Sequence, residues 1–244
     1  MKSKIILVLL SVVLTITLTA QTKYESDIIK TSKGDLQMTF IGHGTLMFEI
    51  NKYVIHIDPV SMYADYEKMP KADLILVTHH HSDHFDIKVL NGIKKETAKI
   101  IFTKACSDMY PAGIVMNNGE SKSIDDFKIE AVPAYNIVNT RSDGNPYHPK
   151  GFGNGYILTV GDKRIYIGGD TENFPEMNKI KNIDVAFLPM NLPYTMTPQM
   201  VAEAAKVIKP KILYPYHFGD TDTKELVDLM KDEKYCEVRI RNLK

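Results

Sequence analysis

The most constraining stretch is Thr78-His79-His80-His81-Ser82-Asp83-His84, directly behind Ala72-Asp73-Leu74-Ile75-Leu76-Val77. The apolar, β-branched run predicts a buried strand. The histidines therefore lie on the loop that leaves the C-terminal end of that strand and enters a helix, where open α/β sheets keep their chemistry. Neutral imidazole is the commonest ligand for zinc and its neighbours, and carboxylate completes such sites. His79 and His81 are two apart, so from extended chain they point the same way. Asp83 and His84 follow as the chain turns and are free to face a second point nearby. A histidine run can also be a solvated tract. The pattern His-x-His-x-Asp-His behind a buried strand makes that the weaker account.

The rest of the chain alternates between strand and helix signals. Leu36 to Ile41 alternates as a strand, broken by Gly42-His43-Gly44. Thr45 to Ile50 and Tyr53 to Ile57 form the next two, turned at Asn51-Lys52 and stopped at Asp58-Pro59. Residues 61–71 are loop or a short helix. Ile87 to Lys95 is a short helix with Val89, Leu90 and Ile93 on one side. Lys99 to Phe102 is a strand, Ala105 centres a short helix, and Asn117-Asn118-Gly119 is a turn. Phe127 to Val132 is a strand stopped at Pro133. Residues 134–153 are a long polar loop, and loops of that length are usually functional or disordered. Gly155 to Val160 and Arg164 to Ile167 pair as a hairpin. Asp184 to Leu188 and Lys211 to Tyr214 are buried-type strands. Between them runs a helix with Thr197 as N-cap, Pro198 in its first turn, an apolar face of Val201, Ala204, Ala205 and Ile208, and Pro210 beyond its end. Asp222 and Glu225 open another helix, and Glu237 to Ile240 is a last strand. Strand meanders with helices in each half predict two packed sheets with helices outside.

The N-terminus combines Lys2 and Lys4, an apolar stretch from Ile5 to Leu14, and Leu18-Thr19-Ala20, the pattern of a secretory signal peptide. Cleavage near Ala20 predicts an exported chain, periplasmic or extracellular, without stable membrane insertion. Residues 21–244 then form a single domain, with no repeats or linkers. The chain has 30 basic and 30 acidic residues, a formal net charge of zero, so no basic footprint for nucleic acid is evident. The two cysteines, Cys106 and Cys236, are too few for a disulfide framework.

His79-x-His81-x-Asp83-His84 resembles the signature of the metallo-β-lactamase superfamily of metal-dependent hydrolases. Two more stretches match in order: Tyr166-Ile167-Gly168-Gly169-Asp170-Thr171, a strand running into Gly-Gly-Asp, and Leu213-Tyr214-Pro215-Tyr216-His217-Phe218-Gly219, a late strand followed by histidine. The Gly-His start, Ile57-Asp58-Pro59-Val60 and the chain length look like the branch containing L-ascorbate-6-phosphate lactonase and N-acyl phosphatidylethanolamine phospholipase D. The resemblance implies an α/β fold, the four-layer αβ/βα sandwich, with two metal ions at one edge between the sheets. Zinc is the expected metal, with manganese or iron as the alternatives. His79 and His81 would serve one metal, Asp83, His84 and His217 the other, and Asp170 would bridge them, with Asp83 also handling a proton as the catalytic carboxylate. In the family a further histidine follows the strand that here ends at Val132-Pro133, and this chain has Ala134-Tyr135-Asn136 instead. The nearest replacement is His148, which requires the 134–153 loop to fold back, with Asn136 behind it. His43 is expected to line the pocket. Asp58 is either a plain strand-end residue or the acceptor that orients a ligand imidazole. His56 and His80 are left out. Tyr135, Tyr147, Phe152 and Tyr194 are either core or lining.

The function so implied is hydrolysis of an ester, lactone or phosphodiester of a small molecule by metal-activated water. The alternative is a non-catalytic periplasmic metal-binding protein of the same fold. Flavodiiron proteins share the fold, but they resemble His-x-Glu-x-Asp-His at the motif, and His81 stands at the glutamate position.

Overall fold

The computed structural model describes residues 24–244, so the predicted leader lies outside them. Two seven-stranded sheets follow the chain in order. The first comprises β1 (Glu25–Thr31), β2 (Gly34–Gly42), β3 (Thr45–Ile50), β4 (Tyr53–Ile57), β5 (Ala72–Leu76), β6 (Lys94–Phe102) and β7 (Ile114–Val115). It is antiparallel as far as β4 and parallel from β4 to β7. The second comprises β8 (Ser121–Ile124), β9 (Phe127–Ala134), β10 (Gly153–Val160), β11 (Lys163–Ile167), β12 (Val185–Pro189), β13 (Ile212–Tyr216) and β14 (Glu237–Val238). It repeats the plan, antiparallel through β11 and parallel thereafter.

Period-two burial explains the layering. Leu74 and Leu76 of β5 enter the core between the sheets, where Phe40 and Phe48 of the first sheet meet Phe187 of the second. Ile75 and Val77 point the other way, onto Val89, Leu90 and Ile93 of α1 (Ile87–Ile93) and Cys106 of α2 (Lys104–Met109). Fully burying an aliphatic side chain is worth about 1.5–3 kcal/mol, and a one-residue slip would exchange the two faces. Both faces are apolar, so this strand carries a continuous hydrophobic run.

The helices start where their caps put them. Asp86 accepts from Val89 N at 3.1 Å to open α1, and Thr197 Oγ1 accepts from Met200 N at 3.1 Å to open α3 (Pro198–Ile208). The α3 face of Val201, Ala204, Ala205 and Ile208 is buried as expected, and Lys209 ends it in the left-handed region. Asp222 caps α4 (Thr223–Met230) through Lys224 N.

Two strands are absent from the sequence expectations and two others differ from them. Glu25–Thr31 is a strand although its residues are mostly exposed, because it lies at a sheet edge and buries little beyond Ile29. Strand β6 begins at Lys94, straight from α1, five residues before the expected start at Lys99. The short, half-exposed β8 lacks a hydrophobic signal. Finally, Pro133 does not stop β9, which continues to Ala134 opposite Gly153. Ala131 N donates across to Glu120, so the nitrogen of Pro133, two residues on, faces the same side. Strand β8 pairs only with Phe127 to Glu130, so no partner strand there needs the missing N–H.

Cys106 is buried, Cys236 is partly buried, and both are free thiols. The C-terminal ends of β4, β5, β11 and β13 deliver Asp58, His79, Asp170 and His217 to one edge of the sandwich.

Candidate metal centre

His79 leaves β5 almost fully buried. Its Nε2 lies 3.1 Å from His81 Nδ1, and His81 Nδ1 lies 3.2 Å from His148 Nε2. Three imidazole nitrogens thus converge on one point, and the third comes from the 135–152 loop, which folds back over the other two. Asn136 explains how. Its Oδ1 accepts from both His148 N at 2.9 Å and His148 Nδ1 at 2.7 Å, while Asn136 N donates to His148 O. Because that oxygen only accepts, the His148 proton sits on Nδ1 and the Nε2 lone pair faces inward. The amide orientation is fixed by the network, since Asn136 Nδ2 donates to Glu172 Oε1 and Tyr194 O.

Glu172, fully buried, anchors the start of this loop. Its carboxylate accepts from Ile137 N, Val138 N and Asn139 N, each at 2.7 Å. Burial pushes its carboxyl up, but the N–H groups of Val138, Asn136, Ile137 and Asn139 outweigh that and hold it below its ordinary value. Neither Glu172 nor this role was legible beforehand, because an acidic residue after Gly-Gly-Asp-Thr carries no pattern.

A second group forms around Asp83, His84 and His217, with His43 beside them. His84 Nδ1 donates to Asp58 Oδ2 at 2.8 Å, which leaves Nε2 directed at the group. Asp58 therefore holds the orientation of the His84 imidazole. It also accepts from Thr78 N and Thr78 Oγ1, each at 2.7 Å, and so pins the start of the histidine loop. Gly44 must be glycine: a Cβ there would lie 2.6 Å from His84 Cε1. His43 Nε2 is 3.3 Å from Asp83 Oδ2, and its ring lies 3.6 Å from that of His217. His217 N donates to His43 O. His43, Asp58 and His217 all adopt positive φ without being glycine, so backbone strain is concentrated here, as at functional sites generally.

Asp170 stands between the groups. Oδ1 is 3.4 Å from His84 Nε2, and Oδ2 is 3.3 Å from His148 Nε2 and 3.4 Å from His217 Nε2. Gly169 makes this approach feasible: its φ is +64°, and a Cβ would meet Asn154 O at 2.8 Å.

The electrostatics divide the centre. Burial and neighbouring imidazoles push His81 down to about 4, and burial holds His79 and His148 below the ordinary histidine value. At neutral pH these three are uncharged and their lone pairs are free. Burial also works against a charged His84, but the carboxylates of Asp170 and Asp58 outweigh it and raise the group to about 10. Burial likewise opposes ionisation of Asp170, yet the histidines around it, His217 foremost, hold its carboxyl below the usual range. The carboxylate side of the centre therefore draws positive charge into a buried space.

The residues fit metal ions on a second count. His84 Nε2, His217 Nε2 and Asp170 Oδ1 are buried without hydrogen-bond partners. Such orphan atoms are costly, and a cation at their convergence would satisfy all three. The cleft above measures about 440 Å³ and is lined in part by Tyr147, Tyr194, Arg141 and Asn191. Tyr135 instead bonds Glu176 and packs on Phe174, and Phe152 lies edge-on to His80, so neither lines it. His56 is buried elsewhere, against Pro70 O.

Residues 37–217 match the Beta-lactamase superfamily domain. This chain belongs to the metallo-β-lactamase superfamily. Among its relatives, a UPF0173 metal-dependent hydrolase of Pelotomaculum thermopropionicum is 29% identical over 220 residues, covering 84% of this chain and 96% of that one. The crystal structure of a candidate metal-dependent hydrolase from Parabacteroides distasonis is 49% identical, with a TM-score of 0.87 over 91% of this chain and all of that one. Igni18, a metallo hydrolase of the archaeon Ignicoccus hospitalis, is 25% identical, with a TM-score of 0.70 over 85% of this chain and 95% of that one. The superfamily fold expected from the motif is thus the fold observed.

Proposed function

We propose that the protein is a metal-dependent hydrolase with a two-metal centre, zinc being the expected metal and manganese or iron the alternatives. The observation that carries this is the convergence of His79, His81 and His148 on one point and of Asp83, His84 and His217 on another, with Asp170 between them. Two relatives bear the name metallo or metal-dependent hydrolase over nearly their whole lengths, which supports the same reading.

Metals bound here would supply Lewis acidity and an activated water. The chain's own groups do the rest. Asp58 and Asn136 engage Nδ1 of His84 and His148, so it is the Nε2 atom of each ring that faces inward. Asp83, whose side chain is 35% exposed and lines the cleft, is the group we assign to take a proton from the attacking water and return it to the leaving oxygen, a reading its access to the cleft supports. His43 steadies that carboxylate by its contact with Oδ2. The buried floor limits bulk water, which strengthens these interactions. Substrates of this chemistry are esters, lactones or phosphodiesters.

Elemental analysis of the purified protein is expected to give about two metals per chain, with hydrolysis in a panel of those three substrate classes. Metal content with no turnover of any of them would favour the non-catalytic metal-binding alternative. Export after cleavage near Ala20 rests on residues 1–20 alone, and N-terminal mass analysis of the cell-envelope fraction tests it.

A further inference from the structure

We infer that the substrate carries a second anionic group, a carboxylate or phosphate away from the scissile bond, and that Arg141 selects it. This rests on the hydrolase reading above. Among the described residues that line the cleft, Arg141 is the one lysine or arginine. It is exposed, and no carboxylate of the described residues lies within ion-pair distance of it. A guanidinium offers five donors. Among the described residues the Arg141 guanidinium gives one hydrogen bond, from Nη2 to Tyr147 O at 3.2 Å.

Its position is nevertheless fixed. Arg141 N donates to Asn145 O at 2.7 Å, Gly144 N donates to Arg141 O at 2.9 Å, and Thr140 bridges to Pro146. The guanidinium lies over the Tyr147 ring at 5.1 Å, and that ring stands edge-on to Tyr194, also at 5.1 Å. The turn is stapled to the facing segment through Asn139 Nδ2, which donates to Thr195 O, while Asn136 holds Tyr194 O. A held cation with most of its donors unspent, at the mouth of a cleft over the metal centre, is suited to bidentate recognition of a planar or tetrahedral oxyanion. Asn191, which also lines the cleft, adds an amide. The cleft is large enough for a small acyl or phosphoryl compound.

The test uses matched activated esters on the metal-loaded protein: mono-4-nitrophenyl glutarate and 4-nitrophenyl 3-phosphonopropanoate against uncharged 4-nitrophenyl pentanoate. The readout is the ratio of kcat/KM, anionic over neutral. It is expected to exceed one in the native protein, to fall about tenfold or more in Arg141→Gln, and to recover in part in Arg141→Lys, because a charge-assisted bond is lost and then partly restored. Preference for the carboxylate or for the phosphonate ester tells the two anions apart. If Arg141 merely braces the loop, Arg141→Gln will change all three esters together and leave the ratio unaltered, which overturns the inference. Binding of free glutarate relative to pentanoate, by calorimetry, separates this from the hydrolase reading. A protein that turns over none of the esters but loses glutarate preference in Arg141→Gln keeps the anion site and loses the hydrolase. One with no glutarate preference loses the anion site.

Discussion

The two loops that supply the three-histidine group are built in opposite ways. The 78–84 loop takes its ligands from consecutive chain at the end of a buried strand, and Asp58 holds its first residue from the neighbouring strand. The 135–152 loop brings a single histidine from its far end and is held by side chains of its own and of the segment after β11. One half is scaffolded by a sheet, the other by hydrogen bonds that a loop makes to one carboxylate. The lesson is that a histidine from far along the chain can join a strand-end pair if a polar residue, here Asn136, holds its backbone and its ring.

The strongest challenge to this comparison is Asp170→Asn, because that residue touches both groups. Metal content should fall on both sides and activity by on the order of 10³-fold, and a variant that keeps both metals would remove Asp170 from its bridging place. Next, His148→Ala should cost about as much as His81→Ala, roughly 10²-fold in activity, with loss of about one metal per chain by elemental analysis. If the loop variant costs far less, the loop half is accessory and the strand half suffices. Asn136→Ala keeps the ligand but removes its support, so metal affinity measured by chelator competition should weaken about 10- to 100-fold.

The smallest effect concerns Glu172. Its carboxyl is held below its ordinary value in the folded state, so its contribution to the loop is present above the unfolded carboxyl value and is lost as pH falls through the folded one. In the metal-free protein, amide protection at Ile137, Val138 and Asn139 should drop on acidification in this range. In Glu172→Gln it should be low throughout, with a stability loss of about 2 kcal/mol. Protection that is independent of pH in the native chain would show that the loop does not depend on this carboxylate.

Much of the site was legible because its ligands follow strands. A strand end fixes where the next residue goes, so His79, His81, Asp83 and His84 could be placed from an apolar run and its terminating residues, whereas Asp170 and His217 were singled out only by the resemblance to the superfamily. The outer β1, the start of β6 and the half-exposed β8 were not legible, since edge and surface strands bury too few apolar side chains to leave a pattern. Glu172 and Thr78 were missed for a related reason: a hydrogen-bond acceptor or donor in a turn looks the same whether it serves a site or water.

The sequence by itself determined the buried strand β5 and the histidine motif behind it, because burial on both faces of β5 and the two-residue spacing of His79 and His81 are local properties of the chain; the layered fold came from the resemblance that this motif carries. Only the tertiary structure decided that His148 joins them, that Asp58 and Asn136 choose which nitrogen of His84 and His148 faces inward, and that Arg141 overlooks the cleft. Those outcomes depend on contacts between residues up to tens of positions apart, whose geometry is set by how the two sheets meet at their edge.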